Sequence, residues 1–332
     1  MTIPIAGFTQ THFDGKRFVN PFPTFQERTR FDLFRWLVWD RITGKRPAEK
    51  GENVLFSAAK TKVMWLKKNR DRFSVTWIGH STLLIQLDGM NILTDPIFSK
   101  RSSPFSFIGP KRLVPPGIPL DSLPSIDLVV ISHDHYDHLD KKTIKFLGNK
   151  PFYLVPLGVG NILKSWGITR YAEKDWGDET EINGLKIICT PAQHFSGRSL
   201  FGQNSTLWVS WLLQGQNVTF YFGGDTGYFS GFSEIGRQYG PIHFAALPIG
   251  AYAPRWFMKS VHMNPEEALT AFKELKAREF IPIHWGTFRL TDEPMAEPME
   301  RLIKKAEERS LEKRIRIFKH GETKMPHGEA EL

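Results

Sequence analysis

Beyond residue 72 the apolar residues fall into short blocks punctuated by Gly, Pro, Asn and Asp, the patterning of strands rather than of long helices. Phe73–Ile78 and Thr82–Leu87 are rich in β-branched and apolar side chains, and Asp88-Gly89 turns the second block into Ile92–Thr94. Leu128-Val129-Val130-Ile131 is apolar at every position, as in a strand buried on both faces. Lys141–Leu147 then predicts a helix, Phe152–Val155 a strand and Gly158–Trp166 a second helix. Another series follows. Residues 181–188 form a hairpin on Asn183-Gly184, and Thr206–Leu213, Asn217–Phe222 and Phe244–Leu247 predict strands. Asn264-Pro265-Glu266-Glu267 opens a helix with an N-cap Asn, Pro in the first turn and Glu three residues after the cap, running to about Lys276. Phe280–Ile283 predicts a short strand despite Pro282, Glu297–Leu311 a charged helix and Ile315–Lys319 a last strand. Two successive sets of strands and helices imply two packed sheets with helices outside, an α/β (α+β) fold arranged as a four-layer αββα sandwich.

The first 72 residues are different. They read as an extension on a core domain spanning residues 73–320, with 321–332 as a tail. The net charge of the chain is +9, and this segment carries fifteen Lys and Arg against seven Asp and Glu, so nearly all the excess sits here. Asn20-Pro21-Phe22-Pro23 is extended. Phe31–Trp39 (FDLFRWLVW) is apolar over most of a helical surface and is flanked by Arg28, Arg30 and Arg41. Such a helix either packs on the core domain or lies in a membrane interface with its arginines outside, where an anionic lipid surface is the matching partner. A solvated basic face explains the charge equally well. No basic, apolar leader marks Met1–Gly7, and no apolar run is long enough to span a bilayer. The expected location is cytoplasmic or peripheral on a membrane. The hydrophobic fraction, 41%, suffices for a full core. The single cysteine, Cys189, excludes an intrachain disulfide and a Cys-rich zinc module, so a metal here must rest on His and carboxylates. Cys189, Trp208 and Trp211 sit in apolar strands and read as core.

The chemistry concentrates in His133-Asp134-His135-Tyr136-Asp137-His138, three imidazoles and two further carboxylates directly after a buried strand. A helix would spread these groups around its axis, whereas a loop at a strand end can turn them to one point. They suit Zn²⁺, Mn²⁺ or Fe²⁺. One loop cannot complete two metal shells. His194, Asp225 and His284 each follow a later predicted strand, and Gly223-Gly224 before Asp225 allows close backbone approach.

This order of residues resembles the ligand order of the metallo-β-lactamase superfamily. More narrowly, the chain resembles the N-acylphosphatidylethanolamine-hydrolysing phospholipase D family. That likeness is carried by Trp77-Ile78-Gly79-His80-Ser81-Thr82, Leu93-Thr94-Asp95-Pro96-Ile97-Phe98, Gly109-Pro110-Lys111-Arg112, Ile131–Asp140 and His284-Trp285-Gly286-Thr287-Phe288. It covers residues 73–288 together with the Asn20-Pro21 region. The resemblance implies two divalent ions, zinc first, with manganese or iron as alternatives. One would take His133, His135 and His194, the other Asp137, His138 and His284, with Asp225 between them. It places His262 beside the substrate phosphate. Lys111 and Arg112 are expected to add cationic contacts near the mouth. His80 and Asp95 read as structural.

Two cations about 3.5–4 Å apart can share and activate a water for attack on phosphorus or a carbonyl carbon. Asp137 and Asp225 would orient that bridging hydroxide, and His262 would hydrogen-bond a phosphate oxygen or protonate the leaving group. The expected reaction is hydrolysis of an anionic phosphodiester lipid. By the resemblance, the products are phosphatidic acid and a fatty acid amide of ethanolamine. A lactonase or other C–O hydrolase related to ascorbate-6-phosphate lactonase, a nuclease, and a non-enzymatic metal-binding scaffold are the alternatives. No motif requires nucleic acid, and none reports the oligomeric state.

Overall fold

The computed structural model of the chain describes residues 11–43, 58–198 and 202–326. The stretch read for a leader, part of the basic extension and half of the expected tail lie outside the described residues.

Thirteen strands form two sheets among the described residues. They are β1 Ser74–Gly79, β2 Thr82–Leu87, β3 Met90–Thr94, β4 Leu128–Val130, β5 Phe152–Pro156, β6 Tyr171–Lys174, β7 Glu179–Ile182, β8 Leu185–Pro191, β9 Val209–Gln214, β10 Thr219–Phe222, β11 Ile242–Pro248, β12 Ala277–Ile283 and β13 Thr323–Lys324. The first sheet has the order β13-β1-β2-β3-β4-β5-β6 and the second β12-β11-β10-β9-β8-β7. Each begins as an antiparallel meander and continues parallel, β3 to β6 in one and β10 to β12 in the other.

The side-chain period of two sorts residues between layers. In β1–β4, Trp77, Leu83, Ile85, Ile92 and Val130 enter the core between the sheets. Their neighbours Ile78, Leu84, Leu93 and Val129 enter an outer core with Ile144 of helix Lys141–Leu147 and Leu163 of helix Val159–Ser165. Helices Gly231–Tyr239, Pro265–Glu274 and Glu297–Glu308 bury Phe232, Phe272 and Leu302 against the second sheet. The result is the expected αββα sandwich. Pro282 is tolerated because β12 is the edge strand, where a missing N–H leaves no ladder bond unmade.

One predicted strand is absent. Among the described residues, Ile315–Lys319 pairs with the sheet only at the bridge between Phe280 and Ile315. The chain there is crossing from the edge of one sheet to the edge of the other, and it turns at Gly321 (φ +83°) to place β13 beside β1.

The extension packs on the core domain where it is described. Phe22 enters the main core, Asn20 Nδ2 donates to the His194 carbonyl at 2.7 Å, and Thr24 donates to Gln193 at 2.9 Å. Arg30–Phe34 is α-helical and Arg35–Trp39 continues as a π-helix. It buries Trp36 against Phe257, Met258 and Val261, and Trp36 Nε1 donates to Asp292 at 2.7 Å. The opposite face is bare: Phe31 is 71% exposed, Phe34 52% and Trp39 54%. No helix among the described residues is long and apolar enough to cross a membrane.

Candidate metal centre

The chemistry-bearing side chains stand where strands end. His80 follows β1, Asp95 follows β3, His133–His138 follow β4, His194 follows β8, Asp225 follows β10 and His284 follows β12. The two sheets deliver these ends to one place. Gly224 (φ +58°) makes this possible, because a Cβ there would collide with the Ser132 side chain of the facing loop. His80, Asp95 and His284 themselves hold positive φ (56°, 33° and 60°), an uncommon backbone region for side chains and one frequent at functional sites.

Seven residues converge. His133 Nε2 lies 2.8 Å from His135 Nδ1, and His194 Nε2 lies 3.3 Å from the same atom. Beside this trio, Asp137 Oδ2 is 3.4 Å from His138 Nε2 and 3.4 Å from His284 Nε2. Asp225 Oδ2 sits between the groups, 3.1 Å from His138, 3.0 Å from His284 and 3.9 Å from His194. His262 Nδ1 overlooks it at 4.0 Å.

The arrangement fits metal ions. Ligand imidazoles characteristically tie down one nitrogen and leave the other inward. His194 Nδ1 donates to the Val261 carbonyl at 2.8 Å, which leaves the lone pair on Nε2. His133 Nδ1 meets Ser132 Oγ at 2.9 Å, and His138 Nδ1 meets Asp95 Oδ2 at 2.6 Å. The inward Nε2 atoms of His138 and His284 and Oδ1 of Asp225 are buried without a hydrogen bond. Such atoms are costly unless a cation completes them.

Electrostatics divides the groups in the same way. Burial keeps His133, His135 and His194 below the ordinary imidazole value, so each offers a lone pair. Burial also opposes charge on His138 and His284, but the carboxylates, Asp225 foremost, override it; His138 is pushed well up and His284 to about 9. Burial acts against ionised Asp137 and Asp225 as well, yet the adjoining imidazoles hold both well below the usual carboxylate range. A divalent ion would take the place of the protons that His138 and His284 otherwise carry.

A family profile described as a beta-lactamase superfamily domain matches residues 90–285. The chain belongs to the metallo-β-lactamase superfamily. An uncharacterised Mycobacterium tuberculosis relative of this metallo-β-lactamase domain is 44% identical over 298 residues, covering 87% of this chain and 78% of the relative. The N-acyl-phosphatidylethanolamine-hydrolyzing phospholipase D 1 of Caenorhabditis elegans is 45% identical over 241 residues, 68% of each chain. Among solved structures, the isothiocyanate hydrolase from Delia radicum gut bacteria superposes with a TM-score of 0.63 at 22% identity, over 76% of this chain and 98% of that one; it shares the fold. The chain is thereby a relative of metal-dependent hydrolases.

Two residues expected to be merely structural touch the cluster. Asp95 accepts from the Ser132 amide (2.7 Å) and hydroxyl (2.5 Å) and braces His138, while His80 Nε2 lies 2.9 Å from Asp137 Oδ2. Their positions after β1 and β3 were the available signal. Trp208 and Trp211 are core, as expected, but their indole N–H groups also bond the carbonyls of Ala192 and Ile131, next to the ligand loops. Cys189 is fully buried in β8. The Arg112 guanidinium turns inward over the Phe288 ring, donating to the Ile97 carbonyl at 2.6 Å and the Ser99 carbonyl at 3.1 Å, and so ties loops together, while its Nη1 is buried without a hydrogen-bond partner. Lys111 is exposed, and no hydrogen bond or ion pair among the described residues links it to the cluster.

Proposed function

We propose that this protein is a dinuclear metal-dependent phosphodiesterase that cleaves N-acylphosphatidylethanolamine-like lipids at a membrane surface, a phospholipase D-type hydrolysis. His133, His135 and His194 would hold one ion and Asp137, His138 and His284 the other, with Asp225 shared. The ions, zinc by preference, would supply Lewis acidity and a lowered water pKa. Around them, Asp137 and Asp225 turn carboxylate oxygens inward and would orient the attacking water. His80 and Asp95 fix the orientation of Asp137 and His138. Burial holds His262 down to about 3, with Arg28 and His284 reinforcing the shift, so it meets substrate as a neutral hydrogen-bonding group.

The observation that carries the lipid reading is the N-terminal helix. It presses Trp36 against Phe257 and Val261, and Val261 is the residue whose carbonyl orients His194. Its other face presents Phe31, Phe34 and Trp39 outward, the disposition of an interfacial helix lying beside a catalytic mouth. The relationship to the Caenorhabditis elegans phospholipase supports the same reading. The deciding experiment gives zinc-reconstituted protein a panel of N-acylphosphatidylethanolamine, a simple phosphodiester, a lactone and single-stranded nucleic acid. The lipid should be hydrolysed fastest. Turnover of the lactone with an intact lipid would overturn the assignment. In a parallel sedimentation assay with anionic vesicles, Phe31→Asp with Trp39→Asp should lower the bound fraction, and unchanged binding would remove the helix from the membrane reading.

A further inference from the structure

Arg28 is a half-buried arginine with no anionic partner among the described residues. Its guanidinium lies over the Phe195 ring at 4.1 Å and the Phe257 ring at 4.9 Å, within the half-buried cluster that also contains Phe25 and Trp36. Comparable arginines find acceptors. Arg198 donates to the carbonyls of Asp134 and Leu139, Arg112 to those of Ile97 and Ser99, and Arg255 forks onto Glu267. Arg28 makes no such hydrogen bond or ion pair, and burial alone draws its pKa down to about 10, which leaves it charged at neutral pH.

Its place relative to the metal centre is informative. Phe195, beneath the guanidinium, packs edge-on to His135 at 4.4 Å between ring centroids and lies 4.8 Å from His194. One aromatic ring therefore separates a free five-donor fork from the ligand trio, on the side where His135 is only partly buried. The guanidinium is partly shielded from water, and stacking on two phenyl rings holds it in place without supplying an anion. A ligand oxyanion would complete it, and the planar fork matches phosphate geometry.

We propose that Arg28, carried by the N-terminal extension, is the anion-recognition group of the substrate site and takes a non-bridging oxygen of the phosphodiester during binding. This rests on the phosphodiesterase reading and adds its specificity element: the extension contributes a residue to the site in addition to any role at a membrane. Arg28 acts in binding, so its signature is in KM and not in kcat.

The test uses the zinc-loaded full-length protein and its Arg28→Gln and Arg28→Lys variants. Steady-state constants are measured on a soluble phosphodiester, bis(p-nitrophenyl) phosphate, and on N-acylphosphatidylethanolamine in mixed micelles, with inorganic phosphate as a competing probe. For Arg28→Gln, loss of a charge-assisted hydrogen bond should raise KM and weaken phosphate binding by about 10- to 100-fold, with kcat and zinc content near wild type. Arg28→Lys should fall between the two, since it keeps the charge and loses the fork. Equal KM and equal phosphate binding in wild type and Arg28→Gln would overturn the proposal. So would a fall in kcat and zinc content with phosphate binding unchanged, the mark of a structural staple. If Arg28→Gln does not fold, Arg28→Lys decides alone: wild-type KM and phosphate affinity would overturn the role of the fork. If the wild type cleaves neither phosphodiester yet binds phosphate in an Arg28-dependent way, the phospholipase reading fails and the anion site stands.

Discussion

Asp95 shows how a side chain outside the ligand set can govern it. It is fully buried, gathers the Ser132 amide and hydroxyl, and turns its remaining capacity to His138 Nδ1. That contact fixes which nitrogen of His138 faces inward. Asp95→Ala should therefore weaken zinc binding by about 10- to 100-fold with the fold intact, as removal of such braces does elsewhere. Chelator competition followed by circular dichroism checks both halves of that expectation, and wild-type zinc affinity would contradict it. His262 should behave differently. It lies 4.0 Å from Asp225 but completes neither group of imidazoles and carboxylates, so His262→Ala should retain two zinc ions per chain while turnover falls by about 10²-fold or more, the scale of a lost polar group in the reaction. Metal loss by elemental analysis would instead make it a ligand. Asp95 was visible in the sequence as an Asp at a strand end and His262 as a His at a helix entry, but nothing local separated brace, ligand and substrate group. Those roles depend on which atoms face which, and the partners lie tens of residues away.

At the scale of elements, the site depends on two loops from different sheets passing close together. Gly224 provides that approach, with its positive φ and with Ser132 occupying the space a Cβ would need. Gly224→Ala should destabilise the protein by about 1–3 kcal/mol through backbone strain, with the steric contact adding to it, and should lower zinc occupancy. A denaturant melt and a zinc titration measure the two effects; an unchanged melt with full occupancy would show that the loops can separate without cost. Strands and helices were largely legible because period-two alternation, Asp88-Gly89, Asn183-Gly184 and the capping box at Asn264 are local signals. The elements missed have local patterns that point elsewhere. β6 is a short polar edge strand, and helix Gly231–Tyr239 contains two glycines. The strand expected at Ile315–Lys319 failed for the converse reason. Its composition suits a sheet, but its place in the crossing between sheets gives it a partner at one residue only.

For the molecule as a whole, the closing turn of the chain carries a pH-dependent component of stability. His320 is buried beside Trp77, 4.2 Å between ring centroids, and meets Thr287 at 3.0 Å. Burial, aided by Arg112, lowers its pKa from 6.5 to about 3. Between those values the unfolded chain binds more protons than the folded one, so this contribution is complete above about pH 6.5 and is lost as pH falls toward 3. Comparing melting temperatures of wild type and His320→Gln from pH 7 to pH 4.5 should show the wild-type advantage shrinking with acidity. A gap constant across that range would contradict a neutral buried imidazole.

Sequence by itself determined the two sets of strands, the positions of the potential ligands at strand ends, and the donor chemistry of a His and carboxylate centre, because periodicity, turn residues and side-chain type are properties of short stretches of chain. The tertiary structure decided that His133–His138, His194, Asp225 and His284 reach one point. It also decided that Asp95 and His80 hold two of them in orientation, that Arg112 donates to two backbone carbonyls, and that Arg28 meets no acceptor among the described residues. The physical reason is that orientation, desolvation and the pairing of charges are set by neighbours far away along the chain. Two arginines with the same local chemistry thus differ in their surroundings according to whether the fold gives them an acceptor.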